Sequence, residues 1–113
     1  MNLNGLYRLS GNTGTRRYMA PEISRREPYN ESCDVYSFAI LLWEMLAMRT
    51  PFEGYTMDMF QIFVATMGDR LDLDPSWPAT LQAILVSCWA HDCRKRMKCS
   101  EIFESLNNLM EEL

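Results

Sequence analysis

From Val35 to Met48 the chain is apolar except for Ser37 and Glu44. The stretch is too short to cross a bilayer, which takes about 20 consecutive apolar residues. Phe38, Leu41, Leu42, Met45 and Leu46 recur at helical spacing, and Val35, Ala39, Ile40 and Trp43 widen that stripe almost all round. A helix apolar on nearly every side belongs in the middle of a core. Ser32 stands where an N-cap is wanted, and Asp34 in the first turn complements the helix dipole. Pro51, after Arg49 and Thr50, prevents continuation. The spacing therefore predicts a central helix over Asp34–Met48, with the rest of the chain packed about it.

The remaining periodic segments are helical as well. Thr56–Met67 has Thr56 as its cap and Phe60, Phe63, Val64 and Met67 on one face, and Gly68 stops it. Ala79–Ala90 carries Leu81, Ile84, Leu85, Cys88 and Trp89 at helical spacing. Ser100–Leu113 carries Ile102, Phe103, Leu106, Leu109, Met110 and Leu113. Ala20–Ser24 reads as a short helical turn. Residues 1–18, with Gly5, Gly11 and Gly14, hold no period and read as loop. No stretch alternates as a strand, so the fold class predicted is all-α, within the single domain that 113 residues allow.

A net charge of −4 gives no general case for a nucleic-acid partner. The charge is unevenly spread: residues 1–26 hold Arg8, Arg16, Arg17, Arg25 and Arg26 against Glu22 alone. Such a segment suits a phosphate or an acidic peptide, or else a solvated loop whose arginines pair with nearby carboxylates. The N-terminus lacks the charged and then apolar stretch of a signal peptide, so Cys33, Cys88, Cys93 and Cys99 are expected to be reduced thiols in a cytoplasmic protein. Cys88, His91, Cys93 and Cys99 are the one set of candidate zinc ligands. Their spacing matches no common zinc pattern, and Cys88 falls on an apolar helix face, so no metal is expected.

Four blocks of the sequence resemble the C-terminal, helical lobe of protein kinases, in that family's order and close to its spacing. Gly14-Thr15-Arg16-Arg17-Tyr18-Met19 runs into Ala20-Pro21-Glu22, which resembles the Ala-Pro-Glu motif closing the activation segment. Asp34-Val35-Tyr36-Ser37-Phe38-Ala39 resembles the start of the family's central helix, and Pro51-Phe52 follows that helix. Cys88-Trp89, then Asp92, then Arg96 resemble the family's late pattern. Gly-Thr-x-x-Tyr before Ala-Pro-Glu is similar to the serine/threonine-specific form. Leu42-Trp43-Glu44 and Cys88-Trp89 look tyrosine-kinase-like. The mixture resembles the tyrosine-kinase-like group of serine/threonine kinases.

The resemblance implies a partial kinase domain over residues 1–113, without the N-terminal lobe: activation segment and Ala-Pro-Glu over 1–24, helical bundle over 32–112. It implies that Gly14, Thr15, Arg16, Arg17 and Tyr18 position a protein or peptide substrate. A hydroxyl suits the role of Thr15 because it both donates and accepts. Pro21, Glu22, Asp34, Trp89 and Arg96 are implied as structural anchors, with Glu22 paired to the bidentate guanidinium of Arg96. Tyr7, Ser10, Thr13 and Thr15 are candidate phosphosites, with Arg8, Arg16 or Arg17 as phosphate partners. The sequence departs from the family at Ala39, where Gly is usual, and at Leu71, Cys93 and Met97, where Pro is frequent.

Phosphoryl transfer needs a loop over the ATP phosphates, a lysine on them, a metal-binding aspartate and a catalytic aspartate. The sequence has no Gly-x-Gly-x-x-Gly and no Asp-Phe-Gly, and its only lysines are Lys95 and Lys98, past the activation segment. ATP and magnesium are therefore expected in the parent kinase and no cofactor in this chain, which is expected to be inactive alone. A face of the central helix that the parent would cover is expected to be exposed and to drive self-association. The alternative reading is a catalytically silent helical binding module or a pseudokinase relic.

Overall fold

The computed structural model describes residues 16–112. Among the described residues five α-helices follow one another: α1 over Pro21–Ser24, α2 over Ser32–Ala47, α3 over Met57–Met59, α4 over Ala79–Cys88 and α5 over Cys99–Glu112. A π-helix over Phe60–Thr66 continues α3, and a 3-10 turn over Cys93–Lys95 precedes α5. There is no strand among the described residues, in keeping with the helical class expected from the sequence.

Helix α2 is the hub. It packs against α4, α4 packs against α5, and α1 lies on the π-helix. The α2 helix starts at Ser32, earlier than Asp34, and Ser32 does not cap it. Just before the helix, the Asn30 carboxamide oxygen accepts from the Ser32 N–H at 2.9 Å. Met48 closes α2 in the left-handed region, φ 53°.

The buried side of α2 is Val35, Tyr36, Ala39, Ile40 and Trp43. The stripe expected inside is split: Leu41 is 48% and Met45 62% exposed, while Phe38, Leu42 and Leu46 are half-buried against the core. On a helix apolar nearly all round, periodicity does not rank the faces. Small Ala39 and the flat rings of Tyr36 and Trp43 let neighbouring elements approach closely, and that decides the side. Phe60, Val64, Ile84, Leu85, Cys88 and Ile102 complete the core from the other helices.

The π-helix revises the second predicted helix. Its wide turns bring positions i, i+4 and i+5 to one face, so Phe60, Val64 and Ala65 are buried while Phe63 and Met67 are exposed. The i→i+5 pattern is explicit where the Met67 N–H donates to the Ile62 carbonyl at 3.0 Å. Thr56 caps α3, accepting from the Met59 N–H at 3.1 Å, and Gly68 ends the segment at φ +83°. Helix α5 buries Ile102 and Leu109 but leaves Phe103 and Met110 exposed, so its apolar face is narrower than the sequence predicts.

Candidate functional site: the clasp around Glu22 and Arg96

Pro21 opens α1 with its fixed φ, which pre-organises the first turn. That turn presents Glu22 inward. Arg96 Nη1 donates to Glu22 Oε2 at 2.6 Å and Nη2 to Oε1 at 2.8 Å, with both side chains buried. Two further donors of Arg96 are used: Nε meets the Ala90 carbonyl at 2.8 Å and Nη1 the Ser32 carbonyl at 3.1 Å. One guanidinium thus ties α1, the start of α2 and the segment after α4. Met97, directly after Arg96, does not prevent this geometry.

The clasp rests on Tyr36, which is wholly buried. The guanidinium carbons of Arg96 and Arg70 lie 5.2 and 5.0 Å from its ring centroid, within cation–π range. The Tyr36 hydroxyl is buried with no hydrogen-bond partner. Burial pushes its pKa up to about 12, against the opposing pull of Arg70 and Arg96.

Arg70 is the residue that sequence reasoning missed. Its Nε donates to the Trp89 carbonyl at 2.7 Å, and its Nη1 to the carbonyls of Asp69 at 2.7 Å and Val64 at 3.3 Å. Arg70 and Arg96 therefore hold the consecutive carbonyls of Trp89 and Ala90 at the C-terminal end of α4. Cations there complement the helix dipole. The one signal in the sequence was an arginine two residues after the Gly68 stop, in a segment otherwise rich in aspartate.

Tyr18 is strapped onto α2. Its hydroxyl donates to Glu44 Oε1 at 2.6 Å, and its carbonyl accepts from Ser37 Oγ at 2.6 Å. The bond to Glu44 raises the Tyr18 pKa, with burial adding to it. Arg16 and Arg17 are half-buried, and the Nε of each is buried without a hydrogen-bond partner. Gly14 and Thr15, and the candidate phosphosites Tyr7, Ser10 and Thr13 with Arg8, lie outside the described residues.

The other predicted residues are more dispersed. Trp89 is buried, and its carbonyl accepts from Arg70 beside the clasp. Asp34 is exposed in the first turn of α2 and does not reach the clasp. Asp92 caps the 3-10 turn by accepting from the Arg94 N–H, and its bonds from Arg94 hold its carboxyl down to about 2.

All four cysteines are free, and burial pushes the Cys88 thiol up to about 11. Among the described residues no group of three or more His, Cys, Asp or Glu side chains is placed to hold a metal ion. No described helix is long and apolar enough to cross a membrane. The bonds of the clasp run to three separate chain segments, so it holds their backbones together.

The family model for protein tyrosine and serine/threonine kinases matches residues 4–106. A probable LIM domain-containing serine/threonine-protein kinase of Dictyostelium discoideum is 35% identical over 102 residues, which cover 90% of this chain and 10% of the relative. Serine/threonine/tyrosine-protein kinase HT1 of Arabidopsis thaliana is 38% identical over 101 residues, 89% of this chain and 26% of the relative. Mitogen-activated protein kinase kinase kinase 7 of Bos taurus is 33% identical over 103 residues, 90% of this chain and 18% of the relative. The chain thus spans between 10% and 26% of the length of these relatives. With its motifs in the family's order and nearly its whole length matched, the chain belongs to the protein tyrosine and serine/threonine kinase family.

Proposed function

We propose that the chain is the helical C-terminal lobe of a serine/threonine kinase domain, from the end of the activation segment onward. The parent domain transfers phosphate from ATP to serine or threonine in proteins or peptides. The observation that carries this reading is the buried two-bond clasp of Glu22 and Arg96, which fastens the Ala-Pro-Glu segment to the late helices. The strap from Tyr18 to Glu44 supports a peptide-positioning role for Arg16, Arg17 and Tyr18, beside the fastened Ala-Pro-Glu segment.

The sequence does not contain the residues that hold ATP and magnesium in a kinase. The parent supplies that chemistry, and this chain supplies positioning. Replacing Arg16 and Arg17 together by Gln in the parent domain tests the peptide-positioning role. The peptide KM should rise while the KM for ATP stays put. A change in ATP affinity with an unchanged peptide KM would refute it.

A second reading, a catalytically silent helical binding module, draws on a different observation. Leu41, Met45 and Met48 are 48%, 62% and 88% exposed and follow one another along the same side of α2. Apolar stripes of this kind bind something or aggregate. In the isolated chain the stripe drives self-association.

A further inference from the structure

His91 lies in the loop after α4, where three segments meet. Its ring packs over Gly68, where a Cβ would stand 3.4 Å from Nδ1. Nε2 is 3.4 Å from Arg25 Nη1, and Nδ1 is 3.5 Å from Arg70 Nη2. The ring is therefore flanked on both nitrogens by guanidinium groups, which only donate. A neutral imidazole can accept from one of them, whereas a doubly protonated ring can accept from neither.

Arg25 does more than touch the ring. It donates to the Ala65 carbonyl of the π-helix and pairs with Glu27 at 2.9 Å, so it fastens the end of α1 to the π-helix. The charged groups around His91 are Arg25, Glu22 and Glu27 from the α1 side, Arg70 from the loop after the π-helix, and Arg96 from its own side. Both carboxylates are already committed, Glu22 to Arg96 and Glu27 to Arg25. Asp92, the next residue, is turned to Arg94. A fourth cation placed here would meet three guanidiniums and no spare carboxylate.

We propose that His91 is a proton-controlled wedge: neutral, it lets Arg25 and Arg70 close on it and hold α1 against the π-helix; protonated, it drives Arg25 away and loosens α1. The segment that carries Pro21 and Glu22 is then gripped less firmly in mild acid. This rests on the neighbours of the ring alone, whatever the parent kinase phosphorylates.

The sign of the effect follows from the surroundings. Burial first, then Arg70 and Arg25, push the imidazole below its ordinary 6.5. The unfolded chain therefore takes up the proton before the folded one. The stability tied to the neutral ring is full above pH 6.5 and is lost as pH falls through the lower folded value.

The test is a titration of the His91 ring by NMR in the 113-residue chain, alongside urea midpoints between about pH 7.5 and about pH 5.5, the range of the histidine switch. His91 is expected to titrate below 6.5, and Arg25→Gln should raise its pKa. The urea midpoint should fall across that range in the native sequence and fall less in His91→Gln. A His91 ring that titrates at or above 6.5 overturns the proposal. So does a His91→Gln chain that loses as much of its midpoint as the native sequence.

Discussion

Glu22 and Arg96 lie 74 residues apart and share two hydrogen bonds, of 2.6 and 2.8 Å, in a site closed to water. Arg96 also carries the carbonyls of Ala90 and Ser32. Removing the carboxylate charge strands a buried guanidinium among carbonyls alone. Glu22→Gln should destabilise the chain by ~3–5 kcal/mol, read from the urea midpoint. Arg96→Lys should recover little, because an ammonium cannot bridge both carboxylate oxygens and still reach Ala90 and Ser32. A loss below about 1 kcal/mol, the scale of an exposed pair, would show that the clasp does not hold the fold together.

Tyr36 gives a prediction of the opposite sign. Its ring is held by two arginines, yet its hydroxyl has no partner. Tyr36→Phe keeps the ring and removes the orphan, so stability should be unchanged or higher by about 1 kcal/mol. Tyr36→Ala leaves a hole in the core and should cost ~3–5 kcal/mol, as other large aromatic deletions do. The phenol also sets an alkaline limit. With its pKa raised by burial to about 12, stability should fall as pH climbs from 10.0 through that value, and Tyr36→Phe should lack this step. Thermal melts across that range read both effects.

Met48 closes α2 in the left-handed region at φ 53°, with its side chain 88% exposed. The backbone conformation disfavours any residue with a Cβ, and the side chain contributes little packing in return. Met48→Gly should raise stability by about 0.5–1 kcal/mol. A lower melting temperature in Met48→Gly would mean that the side chain packs in solution against something, a second copy being the first candidate.

The exposed stripe on α2 predicts the oligomeric state. Leu41→Glu with Met45→Glu should turn a self-associating chain into a monomer by light scattering after size exclusion, with helix content kept. A native sequence already monomeric at high concentration would remove the stripe as a contact surface.

The sequence made the helices legible because each carries a periodic apolar set, and α2, α4 and α5 lie where that period places them. It did not show which side of α2 is buried, because Leu41, Met45, Ile40 and Trp43 read as equally apolar. The π-helix was invisible for a related reason: one extra residue per turn moves Phe63 outward and Ala65 inward without changing composition. Arg70 sits in a loop with no period, so nothing local ties it to Tyr36. Glu22 and Arg96 are linked in the sequence only by the order of their motifs, since neither has neighbours that point to the other.

The most direct measurement is phosphate transfer from ATP and magnesium to a protein rich in serine and threonine, by this chain alone and by the parent domain that contains it. The account predicts no transfer by the chain alone. It predicts phosphoserine or phosphothreonine with the parent domain, and a drop of about tenfold or more in Glu22→Gln, since a small misplacement of the substrate segment is costly. Transfer by the chain alone that is absent in Thr15→Ala, or a parent domain indifferent to Glu22→Gln, would contradict it.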